Sequence, residues 1–542
     1  MAQDTAADSS ADAPSSERLA HAAGLAGVAT LTSRILGLVR EQVLAALFGA
    51  GDQMDAYLVA FRIPNLIRDL FAEGAMSAAF VPTFTRHLTL HGKEDAWRLG
   101  NNVLNALLLI TGVVVALGYV FARPIVTLYA ESFAAVPGKL ELTIQLARVM
   151  FPFLTLVAIA AAVMGMLNSL RHYFIPAVSP ATFNVVAIVF AVGLTPVMPR
   201  IGLPGIMSIA IAALVGGLTQ VLIQLPSLRR EGFRYRPILD VRDPGLRQVL
   251  VLMGPGTVGL AATQLNLFVT TLLATSQGTG AVSWLQYAFR VMYLPLGLFG
   301  VSIATAVLPS AARHAALQDR TAIRDTVARG LALMLVVNLP ATCGLALLSQ
   351  DIIRLLLERG RFMESDTVAT AWALRLYAIG LVGYSTARIA SPVFYALGRS
   401  RVPVILSTVS VMANLGLSLL LARVMGYGGL ALATSAAALL NAGLCLVLLR
   451  RELGGVGGRA LGRVFAKVCV ASLGMSAAVL VVRRLLADTM SETGTLSQAA
   501  ALSASIVAGL VVLVLAGKAL HIGEMETLLA EARRRVRKLL AR

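Results

Sequence analysis

Arginine recurs in this chain where an apolar helix should exclude it. Residues 33–41 read SRILGLVRE within a run of Ala, Leu, Val and Gly, which places Arg34, Arg40 and Glu41 inside an apolar segment. Residues 60–87 read AFRIPNLIRDLFAEGAMSAAFVPTFTRH and add Arg62, Arg68, Asp69 and Glu73, with Asp55 just upstream. Residues 288–314, AFRVMYLPLGLFGVSIATAVLPSAARH, repeat that frame but keep one internal cation, Arg290. An arginine at mid-bilayer costs about 2.5–3.5 kcal/mol on insertion scales, so each should face protein or water and mark a transport path. The guanidinium fork matches phosphate oxygens two at a time, so surplus arginine over carboxylate favours an anionic, phosphorylated ligand.

Spacing sorts these groups onto helix faces. Ser33, Gly37 and Arg40 share a face at i, i+4 and i+7, while Arg34 projects about 120° away from Arg40. Asp55, Arg62 and Asp69 are seven apart and nearly aligned, and Arg68 and Glu73 broaden that polar stripe. Four arginines against Asp55, Asp69, Glu41 and Glu73 also fit a plainer reading, internal ion pairing that lets a polar helix insert. Arg290, Arg148, Arg375 and Arg388 tip the balance toward excess positive charge unless they snorkel to the interfaces.

The elements that must position these residues are membrane helices. Of 542 residues 57% are hydrophobic and 14% charged, with mean hydropathy +0.78, against roughly 45–50% apolar and about 25% charged in soluble domains. The fold class expected is an all-α polytopic membrane protein with 14 transmembrane helices, at 22–48, 55–88 (interrupted), 97–122, 142–169, 176–198, 204–226, 246–274, 281–311, 323–347, 367–397, 402–425, 429–450, 461–485 and 497–520. Pro64 should kink or break the second. With the N-terminus inside, the inner loops hold nineteen Lys and Arg against nine outside, which places both termini in the cytoplasm. That distribution, rather than nucleic-acid binding, accounts for the net charge of +18.

Pro82 and Pro309, Arg86 and Arg313, His87 and His314, Arg148 and Arg375, and Pro176 and Pro403 all stand 227 residues apart. The expected organisation is a disordered cytoplasmic tail at 1–20, an N-terminal lobe at 21–230 (six helices) and a C-terminal lobe at 240–452 (six helices). Two extra helices follow at 460–520, then an amphipathic basic helix at 523–542. Six crossings between equivalents imply a parallel pseudo-twofold along the membrane normal, with the path in a cleft between lobes.

Other signals carry no chemistry. Gly254 to Gly259 matches GxGxxG but lies in an apolar helix without βαβ context. His87 and His91 have i, i+4 metal spacing, yet no third ligand is evident and a solvated helix end is the simpler reading. Cys343, Cys445 and Cys469 fit buried, unpaired thiols. No catalytic set, metal or cofactor is expected.

SRILGLVRE and FGAGDQMDAYLVAFRIPNLIRDLFAEGAMSAAFVPTF together closely resemble the signature of the bacterial lipid II flippase family (MurJ/MviN), within the multidrug/oligosaccharidyl-lipid/polysaccharide transporter superfamily. QLARVMFPFLTLVAIAAAVMGMLNSLRHYFIPAVSP and VSWLQYAFRVMYLPLGLFGVSIATAVLPS extend the resemblance along nearly the whole chain. It implies a transporter, not an enzyme, that carries the undecaprenyl-diphosphate-linked disaccharide-pentapeptide (lipid II) to the outer leaflet of the bacterial inner membrane by alternating access.

The resemblance also assigns roles. The family's cavity arginines fall on Arg34, Arg40, Arg68 and Arg290, its acidic position in the second helix on Asp55, and its basic position before IPN on Arg62. Arg34, Arg40 and Arg290 would hold the diphosphate, Arg62 and Arg68 would guard the lateral entry, and Glu41, Asp55, Asp69 and Glu73 would pair with arginines between turnovers. The two extra helices correspond to a groove for the polyprenyl tail. Glu41 stands where Asp is frequent, Asp69 where a second base is common, and Phe289 and Tyr293 where some members carry acids. The alternatives are a flippase for another polyprenyl-diphosphate oligosaccharide and a drug or cation antiporter of the same superfamily. Beside its substrate, only membrane lipids are expected as partners.

Overall fold

Without water to satisfy backbone groups, a chain this apolar resolves into helices, and the computed structural model contains no strand among the residues it describes, 16–69, 76–486 and 494–540. Among the described residues, nine helices are long and apolar enough to cross a bilayer. Large side chains such as Leu109, Val113 and Leu117 stand exposed along them, as lipid-facing residues must. This is a multi-pass membrane protein.

The chain divides into two compact units. The first comprises Met1–Leu47 and Ala56–Ala261. It holds α1 (Ser16–Phe48, to Leu47), α2 (Asp52–Arg68, from Ala56), α3 (Met76–Leu90), α4 (Gly92–Val120), α5 (Ala122–Tyr129), α6 (Lys139–Met150), α7 (Phe153–Ser169), α8 (Phe174–Leu194), α9 (Met207–Arg230) and the first part of α10 (Pro244–Thr275). Its core packs α7 against α3, α4 and α9, with Phe80, Phe84, Leu99, Met166 and Leu228 buried together. The Ser16 start carries α1 into residues expected to be tail; the tail before it lies outside the described residues. Pro64 sits within α2, which continues to Arg68, so the proline does not break it.

The second unit comprises Phe48–Asp55 and Ala262–Arg542. After the rest of α10 come α11 (Ala281–Pro295), a π-helical turn at Leu296–Gly300, α12 (Val301–Ala316), α13 (Arg320–Leu347), α14 (Ser349–Leu357), α15 (Glu364–Ile379), α16 (Leu381–Ala396), α17 (Arg401–Met425), α18 (Tyr427–Leu453), α19 (Gly458–Leu485), α20 (Thr495–Ala519) and α21 (Gly523–Leu540). Small residues bring the α15–α16 junction onto α18: a Cβ on Gly380 would lie 2.7 Å from Ser435 Cα, and one on Gly383 2.7 Å from the backbone of Ala438. The two helices beyond the repeat, α19 and α20, pair with each other, and α19 lies against α13. Met525 is buried in the core they share, and Leu528 and Leu529 of α21 pack on it, so this part of the amphipathic face meets protein.

The first unit ends inside α10, at Ala261. The repeat register also shifts. The AFR triplets are 228 residues apart, and Pro82 and Pro309 beyond them 227. The slip lies in the stretch where α2 ends and where the second copy passes through its π-helical turn.

Candidate functional site

In the first unit, Arg40 is the centre of a bonded cluster. Its Nε and Nη2 donate to Glu41 Oε1 at 3.3 and 2.7 Å, and its Nη1 donates to Asn184 Oδ1 of α8 at 3.0 Å. Asn184 Nδ2 in turn donates to the Ser33 carbonyl at 3.1 Å, and the Phe183 ring centroid lies 5.7 Å from the Arg40 guanidinium carbon. Gly37, one turn before Glu41, faces the same carboxamide, and a Cβ there would meet Asn184 Nδ2 in ordinary contact at 3.7 Å. Glu41 is buried and Arg40 half-buried, so the pair carries each other's charge where neither could be solvated.

Arg68 repeats the device at the end of α2, donating from Nε and Nη2 to Asp69 Oδ1 at 3.0 and 2.6 Å. Arg34 is exposed on α1 and Arg62 half-buried on α2. Glu73 lies outside the described residues.

Asp55 does something the sequence did not suggest. Fully buried in the second unit, its Oδ2 accepts from the Gly280 amide at 2.7 Å, and its Oδ1 from the Ser283 amide at 3.0 Å and the Ser283 hydroxyl at 2.7 Å. A carboxylate on the first amides of a helix satisfies donors that have no partner within it and faces the positive end of its dipole. Thr279 Oγ1 donates to Asp52 at 2.8 Å, and Trp284 Nε1 donates to Asp366 at 3.0 Å, so the start of α11 is fixed from both flanks. α11 is the helix that carries Arg290.

Phe289 and Tyr293 flank half-buried Arg290 along α11. Phe289 meets Tyr293, Tyr377 and Tyr384 with centroids 5.8, 5.4 and 6.3 Å away, and Arg388 donates to the Tyr293 hydroxyl. The other surplus arginines have structural partners: Arg375 Nε donates to Ser349 Oγ at 2.8 Å and Arg148 faces the Tyr119 ring. GxGxxG at 254–259 lies within α10, and the three cysteines are free.

Arg40 and Arg68 are thus each oriented by a carboxylate, and Arg40 by a carboxamide as well, so both side chains have already lost much of their rotamer freedom. The model of the family described as lipid II flippase MurJ matches residues 44–500. The chain belongs to the MurJ family. A probable lipid II flippase MurJ of Vibrio cholerae is 33% identical over 441 residues, which cover 79% of this chain and 82% of that protein. A solved lipid II flippase MurJ in an inward closed conformation superposes with TM-score 0.76 at 26% identity, covering 92% of this chain and 99% of its own. An inward-facing multidrug resistance MATE transporter of the MOP superfamily shares the fold at TM-score 0.65 and 16% identity, over 80% of this chain and 96% of its own.

Asn184, Ser283, Trp284 and Asp366 escaped the sequence reading. Asn184 is one carboxamide in an apolar helix, 144 residues from the arginine it holds. The other three look unremarkable until the start of α11 is seen to need partners.

Proposed function

We propose that the protein is a lipid II flippase of a bacterial inner membrane, a transporter rather than an enzyme, with both termini cytoplasmic. It carries the undecaprenyl-diphosphate-linked disaccharide-pentapeptide to the outer leaflet by alternating access. The observation that carries this reading is the Arg40–Glu41–Asn184 cluster, a guanidinium kept inside an apolar fold and aimed by two partners. Arg34, Arg40 and Arg290 bind the diphosphate, while Arg62 and Arg68 meet it on entry. Glu41 and Asp69 hold the arginines between turnovers, which removes the penalty of an uncompensated buried cation while the protein is empty. Asp55 serves Arg290 through α11. Substrate drives the cycle only through unequal affinity for the two states, and replacing carboxylate by diphosphate on the same arginines supplies that inequality.

A drug or cation antiporter requires carboxylates open to a cation. Here Glu41 and Asp69 are engaged by adjacent arginines and Asp55 by a helix terminus, which disfavours it. The other-polymer flippase is separated by competition between lipid II and other undecaprenyl-diphosphate glycans.

The test is rescue of a strain depleted of its flippase. Arg40→Ala and Arg290→Ala should each abolish rescue at normal protein level, and leaflet-selective labelling should find lipid II trapped inside. Full rescue by both variants overturns the assignment.

A further inference from the structure

The α3–α4 turn brings together three groups that sequence spacing left as two. α3 ends at Leu90, and Gly92 at φ +85 reverses the chain into α4. That reversal returns Asp95 to the pair formed by His87 and His91. Asp95 Oδ2 lies 2.6 Å from His87 Nδ1 and 3.8 Å from His91 Nδ1, and the three donor atoms all fall within 4.8 Å of one another. The imidazole centroids are 5.5 Å apart.

We propose that His87, His91 and Asp95 form a binding site for a transition-metal dication of the Zn2+ class, with water as the fourth ligand. Tetrahedral Zn2+ holds nitrogen and oxygen donors at about 2.0–2.1 Å, so donor atoms stand roughly 3.3 Å from each other. The two carboxylate distances straddle that value, and side-chain rotations of well under an ångström bring both to it. Two imidazoles and a carboxylate suit Zn2+ and its neighbours in the series better than Mg2+ or Ca2+, which prefer all-oxygen shells. His91 is exposed and Asp95 half-buried, which leaves the ion a path in and room for a water.

The far side of the His87 ring is built up as well. A Cβ at position 245 would lie 3.0 Å from both His87 Nε2 and Asp243 Oδ1, so Gly245 lets the first turn of α10 close on the imidazole. Asp243 is fixed there by accepting from the Leu246 amide at 3.0 Å. The bound ion would clip the ends of two consecutive helices of the first unit beside the start of α10.

The repeat supplies a control. His314 occupies the place of His87, but the positions 227 residues after His91 and Asp95 are Gln318 and Ala322, so the second copy lacks the other two donors.

The experiment uses the full chain without an affinity tag, purified in detergent and stripped with chelator. Co2+ should bind at one equivalent and give the visible d–d bands of a tetrahedral site, and Zn2+ should displace it and raise Tm. His91→Gln and Asp95→Asn should each weaken Zn2+ by about tenfold or more and remove the Tm shift, while His314→Gln changes neither. His91 is exposed, so its variant remains informative should His87→Gln fail to fold. Substoichiometric binding by the unaltered chain, or a Zn2+-dependent Tm shift that survives both His91→Gln and Asp95→Asn, overturns the proposal. Neither result depends on flipping activity.

Discussion

Asn184 holds Arg40 from the side opposite Glu41, and the geometry says what its loss should do. The carboxamide accepts from Arg40 Nη1 while donating to the Ser33 carbonyl, so it ties the guanidinium plane to the backbone of α1. Asn184→Ala removes both bonds and leaves an Arg40 donor short of its partner in a half-buried place, a loss of about 1–3 kcal/mol in orientation or stability. Lipid II affinity of the purified protein should fall by about tenfold, with Asn184→Gln losing as much because its longer chain displaces the amide. Unchanged affinity in Asn184→Ala would show that Glu41 alone aims Arg40. Arg40 and Glu41 were legible in the sequence because charge inside an apolar run is conspicuous. Asn184 was not, because its role exists only once α8 lies on α1. Asp55 was legible as a site and not as a cap, since nothing in its own helix indicates that Gly280 and Ser283 arrive beside it.

At the scale of elements, three asparagines on one face of α4 hold the connection from α9 to α10. Asn101 donates to the Arg234 carbonyl and accepts from the Arg236 amide, Asn102 bonds both backbone groups of Asp240, and Asn105 donates to the carbonyls of Arg236 and Ile238. An extended segment packed on a helix has no sheet partner, so side-chain amides satisfy its backbone instead. The end of α9 is tethered nearby: Glu231 accepts from Lys93 at 2.9 Å and pairs with His172 at 2.8 Å. These hydrogen bonds hold its carboxyl below the usual carboxylate range, against a smaller opposing effect of burial. A carboxyl lowered on folding stabilises the fold above its unfolded-state value, and that contribution disappears as pH falls through the folded value. Thermal stability of the unaltered protein should therefore exceed that of Glu231→Gln at neutral pH, and the two curves should merge in acid. A gap that persists well below the carboxylate range would show that the tether does not depend on the charge of Glu231.

Over the whole molecule, the duplicated frame gave the helix boundaries well, because apolar periodicity and bilayer thickness both constrain them. The end of the first unit at Ala261 lies inside one continuous helix and depends on packing that a linear pattern does not record. The same duplication leaves charge unequal. The first unit sets Glu41 and Asp69 against its arginines, whereas in the second Phe289 and Tyr293 flank Arg290 along α11 and Arg388 has a phenol partner. The five site arginines, Arg34, Arg40, Arg62, Arg68 and Arg290, outnumber Glu41, Asp55, Asp69 and Glu73 by one, so the empty site is net positive and the site with a diphosphate bound is net negative; a potential negative inside draws the first inward and drives the second outward. Each elementary charge moved across the membrane is worth about 2.3 kcal/mol per 100 mV, so both halves of the cycle are favoured by the same field. In proteoliposomes clamped with a potassium gradient and ionophore, outward flipping of lipid II should quicken when the interior is negative and slow when the potential is collapsed. Tyr293→Glu, by placing an acid near Arg290, should flatten that dependence. A rate indifferent to potential in the unaltered protein would show that the net charge of the moving parts is already balanced, and that resetting draws on another gradient.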